Sequence, residues 1–236
     1  MKVIILAGGL GTRISEETAD KPKPMVEVGG KPILWHVMSI YASYGITDFL
    51  IATGYMHQVI ERYIHTLKDG WDVQSLYTGE NSQTGWRIAK CLEHLDSNEH
   101  VLVTYGDGLG NVDISNLIKF HKTHKKLVTV TAVRPPARFG VLEIQSGIVT
   151  HFGEKSQADA GWINGGFFVL NPQVKEIVKH ESEAFEAHIL PMLVPRGELM
   201  AYEHQGFWQP MDTLREKNIL DEYSRLETPP WLQNDY

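Results

Sequence analysis

The chain has a single cysteine, Cys91, in 236 residues, so neither an intrachain disulfide nor a cysteine-built zinc site can form. A reducing, cytoplasmic setting fits. Long apolar runs are missing too: Val3-Ile4-Ile5-Leu6-Ala7 stops at Gly8-Gly9, short of the roughly 7–15 residues of a secretory core, and no run approaches the roughly 18 of a membrane span. A soluble protein without a membrane partner is expected. There is no basic excess. With 22 Lys+Arg against 29 Asp+Glu the formal net charge is -7, the opposite of what a nucleic-acid polymer requires of its binding surface. Linkers, repeats and low-complexity stretches are absent, which predicts one domain over residues 1–236. Neither a Gly-x-Ser-x-Gly elbow nor a His-Glu-x-x-His run occurs, so serine-hydrolase and zinc-protease chemistry have no support.

What is present is enough for a sizeable core, since 42% of residues are apolar and six Trp, nine Tyr and eight Phe are among them. Strand-like runs at Val3 to Ala7, Asp48 to Thr53, Asp72 to Tyr77 and His100 to Tyr105 alternate with helical spacing at Ile33 to Tyr44, Val59 to Leu67 and Arg87 to Leu95. That alternation predicts βαβ units and an α/β, Rossmann-like, mostly parallel mixed sheet with helices on both faces. After Asp113, a candidate cap for a helix through His124, the character changes. Strands predominate at Leu127 to Val133, Gly140 to Ile144, Ile148 to Phe152 and Trp162 to Leu170, an α+β elaboration closed by helices around Val174 to Lys179, Glu183 to Leu193 and Thr213 to Leu226. Residues 1–112 and 113–236 thus read as two differently patterned halves of that one domain.

The strongest local feature is Leu6-Ala7-Gly8-Gly9-Leu10-Gly11-Thr12-Arg13, directly after the first strand. It is neither of the two familiar phosphate fingerprints: no Lys-Ser/Thr follows Gly11, and Ile14 stands where G-x-G-x-x-G needs its last glycine. Their physics still applies. Glycines let backbone N–H groups approach phosphate oxygens at the carboxyl end of a strand, and Arg13 adds a permanently charged fork. Lys21-Pro22-Lys23-Pro24-Met25 follows, where two prolines hold the lysines in an extended segment near the loop.

With these elements the chain resembles the sugar nucleotidyltransferases, most closely their glucose-1-phosphate cytidylyltransferase branch. The resemblance continues through Gly29-Gly30-Lys31-Pro32-Ile33-Leu34-Trp35-His36, Thr78-Gly79 to Arg87, Thr104-Tyr105-Gly106-Asp107-Gly108, Ile163-Asn164-Gly165-Gly166-Phe167-Phe168 and Gly206-Phe207-Trp208-Gln209-Pro210-Met211-Asp212-Thr213. It implies a GT-A-like nucleotidyltransferase fold and, as substrates, an NTP such as CTP and a sugar 1-phosphate such as α-D-glucose 1-phosphate. In-line attack on the α-phosphorus would then release pyrophosphate and give CDP-glucose. By the same resemblance Leu6, Ala7, Gly8, Gly9, Leu10, Gly11, Thr12 and Arg13 wrap the nucleotide with Lys23, Ser82, Arg87 and Gly106. Arg13 and Lys23 are the implied catalytic cations, and Lys21 is left as a supporting charge. Asp107 and Asp212 are the implied Mg²⁺ ligands, a chemistry consistent with that ion's preference for a few carboxylates plus phosphates and water. Gly140, Glu154, Lys155 and Asn164 match the sugar-phosphate side, with Ser156 where the family has proline and a hairpin turn as the competing reading at Asn164-Gly165-Gly166.

One departure stands out. Cytidylyltransferases of this family carry an additional segment between the region of Trp71 to Tyr77 and Thr78-Gly79, of the length expected of a functional lid. Here the chain goes straight through, which leaves the base, the sugar and a homo-oligomeric state open: GTP, UTP or dTTP and other sugar 1-phosphates are the alternatives. A non-catalytic nucleotide-sugar-binding regulatory protein is a third reading, disfavoured because both metal-ligand aspartates are present. His121 and His124 share a helix face at a spacing metals can use, but no third ligand follows, and Cys91 among apolar neighbours reads as a small core residue.

Overall fold

The computed structural model describes residues 1–95, 99–136, 140–154 and 161–233. Seven strands form the main sheet: β1 (Val3–Ala7), β2 (Asp48–Thr53), β3 (Asp72–Tyr77), β4 (Val101–Tyr105), β5 (Val128–Val133), β6 (Ile163–Leu170) and β7 (Leu199–Glu203), in the spatial order β7-β5-β6-β4-β1-β2-β3. β1 pairs parallel with β2 and β4, β2 with β3, and β7 with β5; only β6 runs antiparallel to both its neighbours. The sheet thus combines strands from both halves of the chain.

Side-chain alternation along β1 builds the two layers of core. Val3, Ile5 and Ala7 point to one face, where they meet Leu34, Val37 and Tyr41 of helix α1 (Ile33–Ala42). Ile4 and Leu6 point to the other, against Ile88, Cys91 and Leu92 of helix α3 (Thr84–Leu95); the short helix α2 (His57–Ile64) lies between β2 and β3 in sequence. Cys91 is fully buried and burial pushes its thiol pKa up to about 12, so it is a core residue. Helix α4 (Ile114–His124) begins where expected, with the Asp113 carboxylate accepting from the Asn116 N–H at 2.9 Å.

The topology makes a crevice. From β1 the chain moves outward to β2 and β3, then returns through α3 to β4 on the opposite side of β1, so the loops after β1 and β4 leave in different directions at the carboxyl edge.

The second half departs from expectation in detail. Glu183 to Leu193 opens as a π-helical turn, Phe185–Ile189, and only Leu190–Leu193, helix α5, is α-helical; the segment from Val174 is a 3₁₀ turn, Pro172–Glu176. Asn164-Gly165-Gly166 is not a hairpin turn: it lies inside β6, where the register against β5 shifts between Asn164 and Phe168. Helix α6 (Leu214–Tyr223) closes the fold. Among the described residues no helix is long and apolar enough to cross a membrane.

Candidate active site

A cleft of about 1000 Å³ opens at this crevice, a size suited to a small-molecule ligand. Residues 6–13 line it without interruption. Gly11 stands at φ +66°, a conformation that favours glycine, and starts a 3₁₀ turn over Thr12–Ile14. The Thr18 hydroxyl, between the carbonyls of Gly11 (3.3 Å) and Ile14 (3.2 Å), holds that turn closed. On the facing wall Gly106 is pinched against β1: its N–H donates to the Leu6 carbonyl at 3.1 Å, and an added Cβ would stand 3.0 Å from that oxygen. Only a residue without a side chain brings Asp107 so close to the loop.

Lys23 is the centre of the charged groups. Pro22 and Pro24 are buried on either side of it and seat it in a 3₁₀ turn, Lys23–Met25, with its side chain only 10% exposed. Its Nζ donates to Asp107 Oδ2 at 2.6 Å and to Asp212 Oδ1 at 2.7 Å. Burial works against its charge, but the charge and hydrogen bonds of Asp107 and then Asp212 outweigh it and raise the pKa, so Lys23 is a fixed ammonium. Arg13 Nη1 reaches Asp212 Oδ2 at 2.7 Å from a side chain that is 74% exposed. Such an exposed pair contributes at most about 1 kcal/mol, so the guanidinium can exchange the carboxylate for a phosphate at little cost.

The two aspartates are distant in sequence but mechanically joined. Gly108–Gly110, just after Asp107, pairs antiparallel with Trp208–Pro210, just before Asp212, and the Met211 N–H donates to the Asp107 carbonyl at 2.9 Å. Glu216, buried in the first turn of α6, accepts from the Asp212 N–H (2.8 Å) and the Thr213 N–H (3.0 Å), while Thr213 Oγ1 accepts from the Glu216 N–H at 3.3 Å. This capping box sets where Asp212 points. Two hard carboxylates open to the cleft, with no group of three or more His, Cys, Asp or Glu forming a metal cage among the described residues, match the way Mg²⁺ is held when phosphates and water complete its shell.

The sequence profile of the nucleotidyl transferase family matches residues 2–217, nearly the whole chain and all the elements just described. The chain belongs to this family. Glucose-1-phosphate cytidylyltransferase of Salmonella typhi is 47% identical over 253 aligned residues, covering 98% of each chain. That alignment is longer than the 236 residues here, so this relative carries residues with no counterpart in this transferase. Mannose-1-phosphate guanyltransferase beta-A of Xenopus laevis is 32% identical, over 98% of this chain and 68% of its own. Among solved structures, HddC from Yersinia pseudotuberculosis superposes with a TM-score of 0.75 at 25% identity, covering 94% of this chain and 98% of that one.

Most of the expected site residues of the transferase meet in this cleft. Lys23, Ser82, Gly106 and Asn164 line it with both aspartates and the glycine loop. Ser82 is buried, its hydroxyl donating to the Gly79 carbonyl at 3.1 Å. Arg87 lies beneath the loop. Its Nη1 donates to the Thr53 carbonyl (3.0 Å) and Thr78 Oγ1 (2.8 Å), and its Nη2 to the carbonyls of Gly8 (3.1 Å) and Glu80 (3.3 Å). Those donors are committed to three backbone carbonyls and the Thr78 hydroxyl, so Arg87, which also lines the cleft, braces the loop. Lys21 does not line the cleft. Gly140 and Glu154 pair at the open end of a two-stranded ribbon, Gly140–Gln145 with Ile148–Glu154, and Lys155, like Ser156, lies outside the described residues.

Several cleft residues have no role that the sequence announces, although Thr84, Tyr105 and Trp208 lie within the family motifs. Tyr105, Thr84, Glu186 and Trp208 line the cavity, and the Trp208 Nε1–H donates to the Gly165 carbonyl at 2.8 Å, fastening the Asp212 ribbon to β6. Glu216, outside the cleft lining, does have a sequence signal, the Thr-x-x-Glu spacing of a capping box. His121 and His124 lie at the far end of α4 and share Thr129 Oγ1 at 2.8 Å each.

Proposed function

We propose that this enzyme joins CTP and α-D-glucose 1-phosphate to give CDP-glucose and pyrophosphate. The observation that carries the reading is the convergence of Lys23, Arg13, Asp107 and Asp212 at the mouth of the glycine loop, and the relative at 47% identity supports the choice of substrates.

Little covalent work falls to the protein in such a transfer, so positioning and charge stabilisation carry it. Backbone N–H groups of residues 8–13 bind the triphosphate. Lys23, buried and fixed, holds the α-phosphate against the attacking sugar-phosphate oxygen. Arg13, exposed and loosely paired, swings from Asp212 onto the departing pyrophosphate. Asp107 and Asp212 hold Mg²⁺, which when bound neutralises phosphate charge. Asn164 meets the sugar, a side to which the family resemblance also assigns Gly140, Glu154 and Lys155; no protein nucleophile is needed. One domain, residues 1–236, acting in the cytoplasm, suffices for this chemistry.

The test is pyrophosphate release over a matrix of CTP, GTP, UTP and dTTP against glucose 1-phosphate and mannose 1-phosphate. An optimum at CTP with glucose 1-phosphate is expected. An optimum elsewhere in the matrix replaces the substrates and keeps the chemistry; nucleotide binding without turnover by any pair overturns it.

A further inference from the structure

Glu186 is a cleft carboxylate that the phosphate chemistry leaves unused. It projects from the π-helical turn Phe185–Ile189, an irregularity that recurs at functional sites. The chain leading into this turn is pressed onto the start of α3. The Glu181 carbonyl accepts from the Gln83 N–H at 2.8 Å, and a Cβ on Gly85 would stand 2.6 Å from the Glu183 carbonyl oxygen.

Both oxygens of Glu186 are anchored, and the direction of every proton around them is determined. Thr84 Oγ1 accepts from the Phe185 N–H at 2.8 Å, so its own proton goes to Glu186 Oε2, at 2.7 Å. The Tyr105 hydroxyl donates to Glu186 Oε1 and accepts from Asn164 Nδ2 at 2.9 Å. Asn164 Oδ1 accepts from the Gly166 N–H at 2.8 Å. Hydrogen bonds thus run one way, from Asn164 to Tyr105 to Glu186. Burial and the adjacent Glu186 charge both raise the Tyr105 pKa, so the phenol stays a donor.

We propose that Glu186 is a positioning residue that fixes the amide orientation of Asn164 and so aims its second Nδ2–H at an oxygen of the sugar 1-phosphate. This rests on the reading of Asn164 as a sugar contact. A carboxylate only accepts, so it draws the Tyr105 proton to itself and leaves a lone pair facing Asn164. In Glu186→Gln the shape is kept, but an amide N–H can face Tyr105. The phenol then turns its proton toward Asn164, which must present Oδ1 and release the Gly166 N–H. The backbone cannot follow: Gly166 is held at φ +82°, and a Cβ there would stand 2.5 Å from the Tyr105 ring.

Steady-state kinetics with CTP and glucose 1-phosphate varied separately test this. Glu186→Gln and Tyr105→Phe, both shape-preserving, are each expected to raise KM for glucose 1-phosphate about tenfold, the loss of roughly one hydrogen bond. KM for CTP stays within about twofold, and the double variant is no worse than either single one, because the residues act in series. Equal changes in both KM values, a loss confined to kcat, additive losses or no effect would each overturn the proposal. Asn164→Ala separates the levels. If it raises KM for glucose 1-phosphate while Glu186→Gln is silent, the relay fails and the sugar contact stands; if Asn164→Ala is itself silent, both fall.

Discussion

The Arg87 guanidinium fills the space into which a side chain at residue 8 would project: Nη2 donates to the Gly8 carbonyl at 3.1 Å, and a Cβ on Gly8 would lie well inside contact distance of Nη1. Gly54 is constrained the same way, its Cβ position lying 2.5 Å from Nη1. The first glycine of the loop is therefore required by the brace beneath it as well as by any ligand above. Gly9, in contrast, has open space where its side chain would be.

From this, Gly8→Ala should destabilise the fold by about 2 kcal/mol, the scale of a forced overpacking, whereas Gly9→Ala should leave the urea midpoint nearly unchanged. Comparable midpoints for the two variants would show that Arg87 yields easily and does not brace the loop.

Chelation should separate activity from stability. Lys23 and Arg13 already pair with both cleft carboxylates through protein contacts alone, so excess EDTA should abolish pyrophosphate release while the melting temperature shifts by no more than a few degrees. Lys23→Met removes the shared cation and leaves two carboxylates facing one another. It should lower kcat/KM at least a hundredfold, and Mg²⁺ should raise its melting temperature more than that of the wild type. A Lys23→Met variant with near-normal turnover would remove Lys23 from the mechanism.

Glu216→Ala takes away the carboxylate that receives the N–H groups of Asp212 and Thr213. The stability loss expected from a lost cap is about 1 kcal/mol. The apparent Mg²⁺ requirement, read by titrating activity with the metal, should rise by a larger factor than that, because Asp212 loses its aim. An unchanged Mg²⁺ titration would confine Glu216 to helix capping.

Acid should weaken the fold at the opposite end of the molecule. His121 is fully buried; burial, then the neighbouring His100 and His124, lowers its pKa to about 4. The Lys126 N–H can only donate, so it fixes His124 Nδ1 as an acceptor and orders the chain onward through Thr129 to His121 and His100. The folded state holds His121 neutral while the unfolded chain takes up a proton near pH 6.5. Its contribution is thus complete above pH 6.5, falls as pH drops toward 4, and is constant below, up to about 3 kcal/mol in all. Urea unfolding of wild type and His121→Gln between pH 7.5 and 4 reads this directly. The stability difference between them should shift against the wild type by that amount as pH falls, and a pH-independent difference would refute it.

What the sequence disclosed follows from the range of each signal. β1 was legible because five apolar residues ending in glycine need no partner to be recognised, and α4 because Asp113 caps it locally. Lys23 and Lys21 are chemically alike and only the family resemblance separates them in the sequence; the folded chain supplies the physical reason, Lys23 being buried between prolines in the cleft wall and Lys21 not lining the cleft. Arg87 matched a nucleotide-holding position and does line the cleft, but its bonds to the Thr78 hydroxyl and to the carbonyls of Gly8, Thr53 and Glu80 join separate segments, which no local pattern encodes. The relay through Asn164, Tyr105, Glu186 and Thr84 draws on four elements and was invisible for the same reason. β7 escaped notice because an edge strand with half-exposed residues on both faces has no clean alternation, and the ribbon of Gly108–Gly110 with Trp208–Pro210 is too short for periodicity.

That ribbon also imposes an order on synthesis. Lys23 and Asp107 both precede β5 in the chain, whereas the strand that carries Asp212 into place, Trp208–Pro210, leaves the ribosome only after β5, β6 and β7. The glycine loop and the first carboxylate therefore exist for a time without the second, and the carboxylate pair around Lys23 is complete only once that strand docks. An interrupted translation product ending before Trp208 would hold half of the charge arrangement and none of the joint that completes it.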